Sequence, residues 1–316
     1  MTHLPQDRPT AKRPLIVILG PTASGKSALG IALAGRRSGE ILVCDSTQVY
    51  RHFDIGTAKA PVAEQGGIPH HLVDIIEPRE VFTAGDYRRR ALEVLADLRQ
   101  REKLPILTAG TGLYLRALLE GLADAPARSE KLRARLRGQA RRHGAGYLHR
   151  TLSRLDAEAA TRIAPRDTQK VIRAIEIRIL AGKPVGEVHR GGREALTGYE
   201  IKKIGLLPPR AALYHRIHER VDAMLAAGWL DEVRGLIARG VPADAKPFEF
   251  IGYSELREHL QGRLALPEAV AQIQQATRRF AKRQLTWFRK EADVTWLSGF
   301  GDDRSVISMA LELIPF

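Results

Sequence analysis

The chain has 316 residues, 44% of them hydrophobic, with 50 Lys and Arg against 36 Asp and Glu, a formal net charge of +14 and one cysteine. That length supports a full hydrophobic core with room for an insertion, the lone cysteine excludes a disulfide framework or a multi-cysteine zinc site, and the charge predicts a polyanionic partner. The opening stretch "MTHLPQDRPTAKRP" has no apolar segment of a signal peptide and no run approaches the length of a membrane span, so a soluble, cytoplasmic protein is expected, with residues 1–13 as a flexible tail.

The first predicted elements are a short apolar strand, "LIVIL", and a helix over Ser27 to Gly35, joined by "GPTASGKS". Gly20, four residues, Gly25, Lys26 and Ser27 fit the P-loop spacing in the strand-to-helix setting that gives it meaning. Backbone amides from Gly20, Pro21, Thr22, Ala23, Ser24 and Gly25 would wrap a diphosphate or triphosphate, apart from proline, which has none. Lys26 would reach the terminal oxygens, Ser27 would hold magnesium, and the helix would add its positive end. The alternative is a glycine turn that only reverses the chain.

A second strand, "EILVCD", places Asp45 at its end, followed by Ser46, Thr47 and Gln48. A carboxylate there can act as a general base or hold magnesium through water, and can equally be a turn cap. Cys44, at the end of an apolar run, reads as core and not as a nucleophile. "AGDYRRRALEVLADLRQREK" reads as a helix and "LPILTAG" as a third strand, whose glycine turn presents Thr111 at the next helix start, where a plain N-cap is the competing role.

From about Pro126 the strand signal stops and helical periodicity takes over, with a looser glycine-bearing stretch at 183–198. A strand returns at "YEIKKIGLLPP", then helices to about Lys290 and the short run "VTWLS". The expected fold class is therefore α/β: a P-loop NTPase-like parallel sheet flanked by helices, with an inserted all-helical domain. The core is expected over 14–125 and 205–316 and the insertion over 126–204. Basic residues concentrate in two runs: Lys131 to Arg150 has seven Lys or Arg, and Arg278 to Lys290 has six, neither with an acidic residue. Such runs can neutralise a phosphate backbone, while Phe280, Trp287 and Phe288 within the second are expected to pack the helix before they meet a base. Arg210, Arg216 and Arg220 follow the returning strand as candidates for diphosphate or RNA phosphates, with a solvated helix face as the alternative.

The motifs "GPTASGKS", "DSTQVYRHFDIGTAK", "GIPHHLVDIIEP", "FTAGDYRRRA", "TAGTGLYLRALLEGL", "RDTQKVIRAIEI", "ALYHRIHERVDAMLAAGWLDEV", "FIGYSEL" and "ATRRFAKRQLTWFRK", in this order from Gly20 to Lys290, resemble the tRNA dimethylallyltransferases. The resemblance implies transfer of a dimethylallyl group from its diphosphate to the exocyclic N6 amine of the adenosine at position 37, beside the anticodon, in tRNAs reading codons that begin with U. It implies Asp45, Thr111 and Lys26 at the reaction centre, Gly20 to Ser27 and Arg220 on the diphosphate, and Mg2+ on Ser27. It further implies that Asp45, Ser46, Thr47, Gln48, Thr111, Arg133, Gln169, Lys170, Val171, Ile172, Arg173, Gly252, Tyr253, Lys282 and Arg283 meet the tRNA anticodon stem-loop. Glu249 and Ser254 depart from the family, which often carries basic residues there. A monomer is expected. Two rivals share part of the pattern: a nucleotide or small-molecule kinase, which leaves "AKRQLTWFRK" unexplained, and an RNA-binding switch, which leaves Asp45 and Thr111 without a role.

Overall fold

The structure, a computed structural model, describes residues 12–314. The tail expected over 1–13 lies outside these residues except for its end, and there Arg13 already opens a strand. Leu15 to Leu19 are five apolar residues with no exposed surface, and they form the buried part of β1 (Arg13–Leu19). A run buried on both faces is the mark of a central parallel strand. It is followed by α1 (Lys26–Arg37), β2 (Gly39–Cys44), the two-residue β3 (His70–His71), α2 (Ala84–Gln100), β4 (Leu104–Ala109) and α3 (Gly112–Glu120).

Five helices come next: α4 (Glu130–His143), α5 (Ala145–Leu155), α6 (Ala157–Arg162), α7 (Thr168–Ala181) and α8 (Val185–Arg190). The chain then returns through β5 (Tyr199–Leu206), α9 (Arg210–Ala226), α10 (Trp229–Ala238), α11 (Tyr253–Leu260), α12 (Leu266–Phe288), β6 (Val294–Leu297) and α13 (Arg304–Glu312). The six strands form one parallel sheet in the order β3-β2-β4-β1-β5-β6, with Val17 opposite Leu107 on one side and Lys203 on the other. The carboxyl ends of β1, β2, β4 and β5 thus lie side by side, where open α/β sheets collect their ligands.

Among the described residues two compact units emerge: 12–118 together with 197–314, and Leu119–Leu196. The expected insertion limits of 126–204 shift at both ends for local reasons. Residues 199–204 belong to β5, which pairs with β1 from Arg13↔Tyr199 onward. At the other end, Leu196 donates its N–H to the Leu119 carbonyl at 2.9 Å, which closes the helical unit seven residues before Pro126.

In the sheet unit, α1 and α13 cover one face through Leu29, Leu33, Val306 and Ala310, packed on Ile16, Ile18, Ile41 and Ile106. A second cluster, Val49, Phe53, Trp229, Phe248, Tyr253 and Ile273, seats the long segment after β2 against α10, α11 and α12. The helical unit has its own core of Leu136, Leu148, Leu152, Val171, Ile175 and Val188.

Candidate active site

Past β1 the chain turns through Ala23, whose φ of 63° is an uncommon conformation for a residue with a side chain. The turn is tethered from outside. The Thr22 N–H donates to Gln284 Oε1 at 2.7 Å, and the Ser24 carbonyl accepts from the Gly301 N–H at 2.9 Å. Lys26 opens α1 and folds back, its Nζ donating to the Pro21 carbonyl at 2.8 Å. Burial lowers the Lys26 pKa to about 8; Asp45 works against that shift and Arg220 adds to it.

Arg220, projecting from α9, is likewise pushed down by burial and by Arg216, with Asp45 opposing. It has no ion pair among the described residues, and the buried Ser24 Oγ has no hydrogen-bond partner. A glycine-rich turn with two crowded cations and an unused hydroxyl is a site short of an anion. Arg216 is already committed, to a fork-on-fork pair with Asp302 at 2.7 and 2.7 Å, and Arg210 lies over the Tyr214 ring.

Asp45 sits at the end of β2 and uses its two oxygens differently. Oδ1 accepts from the Thr47 N–H at 2.8 Å and the Thr47 hydroxyl at 2.7 Å, so the turn-cap role is real. Oδ2 lies against Gly110, where a Cβ would come within 2.3 Å of it, and no protein donor reaches it among the described residues. Glycine at 110 is therefore what leaves room for the oxygen that remains open for chemistry. Thr111 is not a plain helix cap: its Oγ1 accepts from the Ser46 N–H at 2.9 Å and donates to Ser46 Oγ at 3.2 Å. Gln48 gives both donors of its amide to the Thr57 and Ala58 carbonyls at 2.9 and 3.2 Å, which leaves its Oε1 as the atom able to meet a base. Cys44 is fully buried, burial pushes its thiol well up, and it is core as read from the sequence.

The residues expected to meet RNA divide sharply. Lys282 and Arg283 are exposed on α12, and Gln169 and Lys170 are exposed at the start of α7. Tyr253 is not: it has no exposed surface, donates to Glu232 Oε1 at 2.6 Å and packs on Phe53 and Trp229. Gly252 beside it has φ 91°, and a Cβ there would strike the Trp229 ring at 1.9 Å, so it serves packing. Val171 and Ile172 belong to the core of the helical unit.

Arg133 gives Nε and Nη2 to the buried Glu176 at 2.9 and 2.7 Å, and Arg173 adds a third bond at 2.6 Å. Burial alone would raise the Glu176 pKa, but these bonds and the Ser129 N–H outweigh it and hold the carboxyl at about 2. Arg133 is thus a structural cation and no free phosphate contact. Glu249 pairs with Lys246, and Ser254 donates to Glu255 at 2.7 Å.

Two residues escaped the sequence reading. Gln284, 7% exposed, sits on the stripe of α12 made by Ala281, Gln284 and Phe288, and a lone polar residue at buried spacing inside a basic run was the signal available. Lys59 ties the segment after Asp45 together by donating to the Tyr50 carbonyl at 2.6 Å, to Asp54 at 2.7 Å and to Asp74.

Magnesium fits this donor set only as the companion of a bound diphosphate. Ser27 offers one exposed hydroxyl, and no cluster of three or more His, Cys, Asp or Glu suited to a metal occurs among the described residues. A small hard cation that keeps water and takes most of its oxygens from phosphate suits such a site.

The parallel sheet, the phosphate loop with Lys26 and Arg220 crowded on it, and the open oxygen of Asp45 define a P-loop α/β enzyme of the group-transfer class. Residues 48–291 match the family described as IPP transferase. The tRNA dimethylallyltransferase of Solibacter usitatus is 50% identical over 301 residues, 95% of this chain and 98% of the relative, and that of Koribacter versatilis 51% over 300, 95% and 97%. Among solved structures, the full-length tRNA isopentenylpyrophosphate transferase of Bacillus halodurans aligns with a TM-score of 0.71 at 39% identity over 96% of each chain. A eukaryotic dimethylallyltransferase acting on tRNA aligns with 0.76 at 28% over 93% of this chain and 75% of the other. The chain belongs to the IPP transferase family.

Proposed function

We propose that this chain transfers a dimethylallyl group from dimethylallyl diphosphate to the exocyclic amine of the adenosine beside the anticodon of a tRNA, releasing diphosphate. The observation that carries the reading is the pairing, in one unit, of two ion-pair-free cations over the phosphate loop with a carboxylate whose Oδ2 is unused. As the C–O bond of the allylic diphosphate breaks, charge grows on the bridging oxygen, and Lys26, Arg220 and the amides that the loop leaves free stabilise it where it develops. Lys26 spends one of its three N–H donors on the Pro21 carbonyl, which leaves two for the ligand. Magnesium held at Ser27 would supply further charge neutralisation on the diphosphate.

Asp45 Oδ2 orients the adenine amine and takes its proton, while Thr47 holds the carboxylate through Oδ1. Ser46 and Thr111 hold one another beside it and fix the wall of the pocket. A stacked adenine cannot reach such a pocket, so the base must leave the loop, which costs less in an anticodon loop than in a duplex. The exposed Lys282, Arg283 and Gln169 are the proposed backbone contacts, while Lys170 is already paired with Asp167 at 2.6 Å.

The test is incubation with unmodified tRNA and either dimethylallyl diphosphate or ATP. A tRNA gaining the mass of one C5 unit with release of inorganic diphosphate is expected. ATP-dependent phosphorylation of a small acceptor, with the RNA unchanged, would favour the kinase reading.

A further inference from the structure

The phosphate loop and the Thr111 turn belong to different strands, β1 and β4, yet one buried side chain holds both. Gln284 Oε1 accepts from the Thr22 N–H at 2.7 Å, and Gln284 Nε2 donates to the Gly110 carbonyl at 2.7 Å. The two bonds use the carbonyl and the amine of a single planar group, so the amide fixes both partners in distance and in orientation. Its helix cannot readily drift, because Ala281 at 1% and Phe288 at 0% exposure anchor the same face.

Thr22 lies within the loop proposed to hold the diphosphate, and Gly110 both precedes Thr111 and packs against Asp45 Oδ2. We infer that Gln284 is a positioning residue for the transfer: it sets the separation between the diphosphate loop and the Asp45–Thr111 wall, and thereby the distance from the allylic carbon to the attacking amine. A reacting pair held near 3 Å loses rate steeply when its supports slip by a fraction of an ångström. The same bond withdraws the Thr22 amide from the phosphate cradle, leaving the rest of the loop to bind the anion. The inference rests on the proposed transferase reading.

Two variants separate its halves. Gln284→Glu keeps an acceptor for the Thr22 N–H and sets a carboxylate against the Gly110 carbonyl, whereas Gln284→Met keeps the volume and loses both bonds. Single-turnover prenyl transfer is measured at a temperature well below each variant's thermal midpoint, beside the KM for dimethylallyl diphosphate and hydrogen exchange at the Thr22 amide.

Gln284→Glu is expected to lower the single-turnover rate by about tenfold with the diphosphate KM within about twofold of the parent. Gln284→Met is expected to change both and to speed exchange at Thr22. Parent rates per folded molecule in both variants, or unaltered Thr22 exchange in Gln284→Met, would overturn the inference. If Gln284→Met does not fold, the rate and KM of Gln284→Glu decide it alone. Absence of any prenyl transfer by the parent would instead strike at the proposed function, and the exchange measurement still tests the tether.

Discussion

Asp45 divides its work between two oxygens, and the division sets up its test. Asparagine preserves the Oδ1 acceptor that Thr47 grips and removes the proton acceptor at the other position. Asp45→Asn should therefore fold like the parent, bind tRNA with little change and transfer the prenyl group at least about a hundredfold more slowly, the scale of a positioned acid–base group. A single-turnover rate near the parent's would leave Asp45 as a turn cap only. Lys26 makes a second prediction, about pH. Its pKa is held near 8 in the free enzyme by burial, and a bound diphosphate, by adding negative charge beside it, must raise that value. Binding then takes up a proton above pH 8, so the diphosphate KM should stay level below pH 8 with respect to this group and climb by about tenfold per pH unit above it, until the bound-state pKa is reached. Lys26→Met should bind weakly and lose that bend; a bend that survives unchanged in Lys26→Met would show that Lys26 is not its source.

At the scale of elements, the helical unit is pinned by one carboxylate. Glu176 on α7 accepts from Arg133 and the Ser129 N–H at the start of α4 and from Arg173 a turn away, with no exposed surface of its own. Glu176→Gln keeps the shape and leaves two arginines beside a neutral amide, which should cost about 2 kcal/mol of unit stability. Because the folded pKa lies below that of an unfolded carboxyl, this contribution is complete above about pH 5 and fades as the pH falls toward 2. Denaturant midpoints measured from pH 6 to 2.5, followed by exchange within 130–190, should converge for parent and variant at the acid end. The contrast between this unit and the phosphate loop also explains where the sequence was legible. The phosphate loop could be read because its chemistry is local, eight adjacent residues between a strand and a helix. "QKVIR" and "GYSEL" could not be read residue by residue: a motif shared for function interleaves side chains that face a partner with those that hold the backbone, and Val171, Ile172, Gly252 and Tyr253 are of the second kind. β3 was invisible because two histidines carry no period.

For the whole molecule, the charge of +14 overstates the surface free to meet RNA. Arg133, Arg173 and Arg216 are spent on carboxylates, as are Arg137 and Lys170. What remains exposed and without an ion pair among the described residues includes Arg279, Lys282 and Arg283 on α12 and Arg135 and Arg142 on α4. Helical spacing puts Arg279, Lys282 and Arg283 on one face of α12, and Arg135 and Arg142, seven apart, on one face of α4. Each set can therefore follow a phosphate backbone, which a scatter of arginines around a helix cannot. Reversing the three on α12 to Glu should weaken tRNA binding and reduce the slope of log affinity against log salt by about 0.7 to 0.9 for each phosphate that is no longer neutralised. The same treatment of Arg135 and Arg142 should act alike, with the affinity for dimethylallyl diphosphate unchanged in both variants because Lys26, Arg220 and the phosphate loop are untouched. Arg133→Glu supplies the contrast: it sets a second carboxylate against Glu176 and should lower the thermal midpoint of the helical unit. Titrations of both ligands from 50 to about 300 mM salt distinguish these cases. A reversal on α12 that abolished diphosphate binding and spared tRNA affinity would mean that its cations serve the small substrate, and the RNA-binding assignment of that helix would have to be given up.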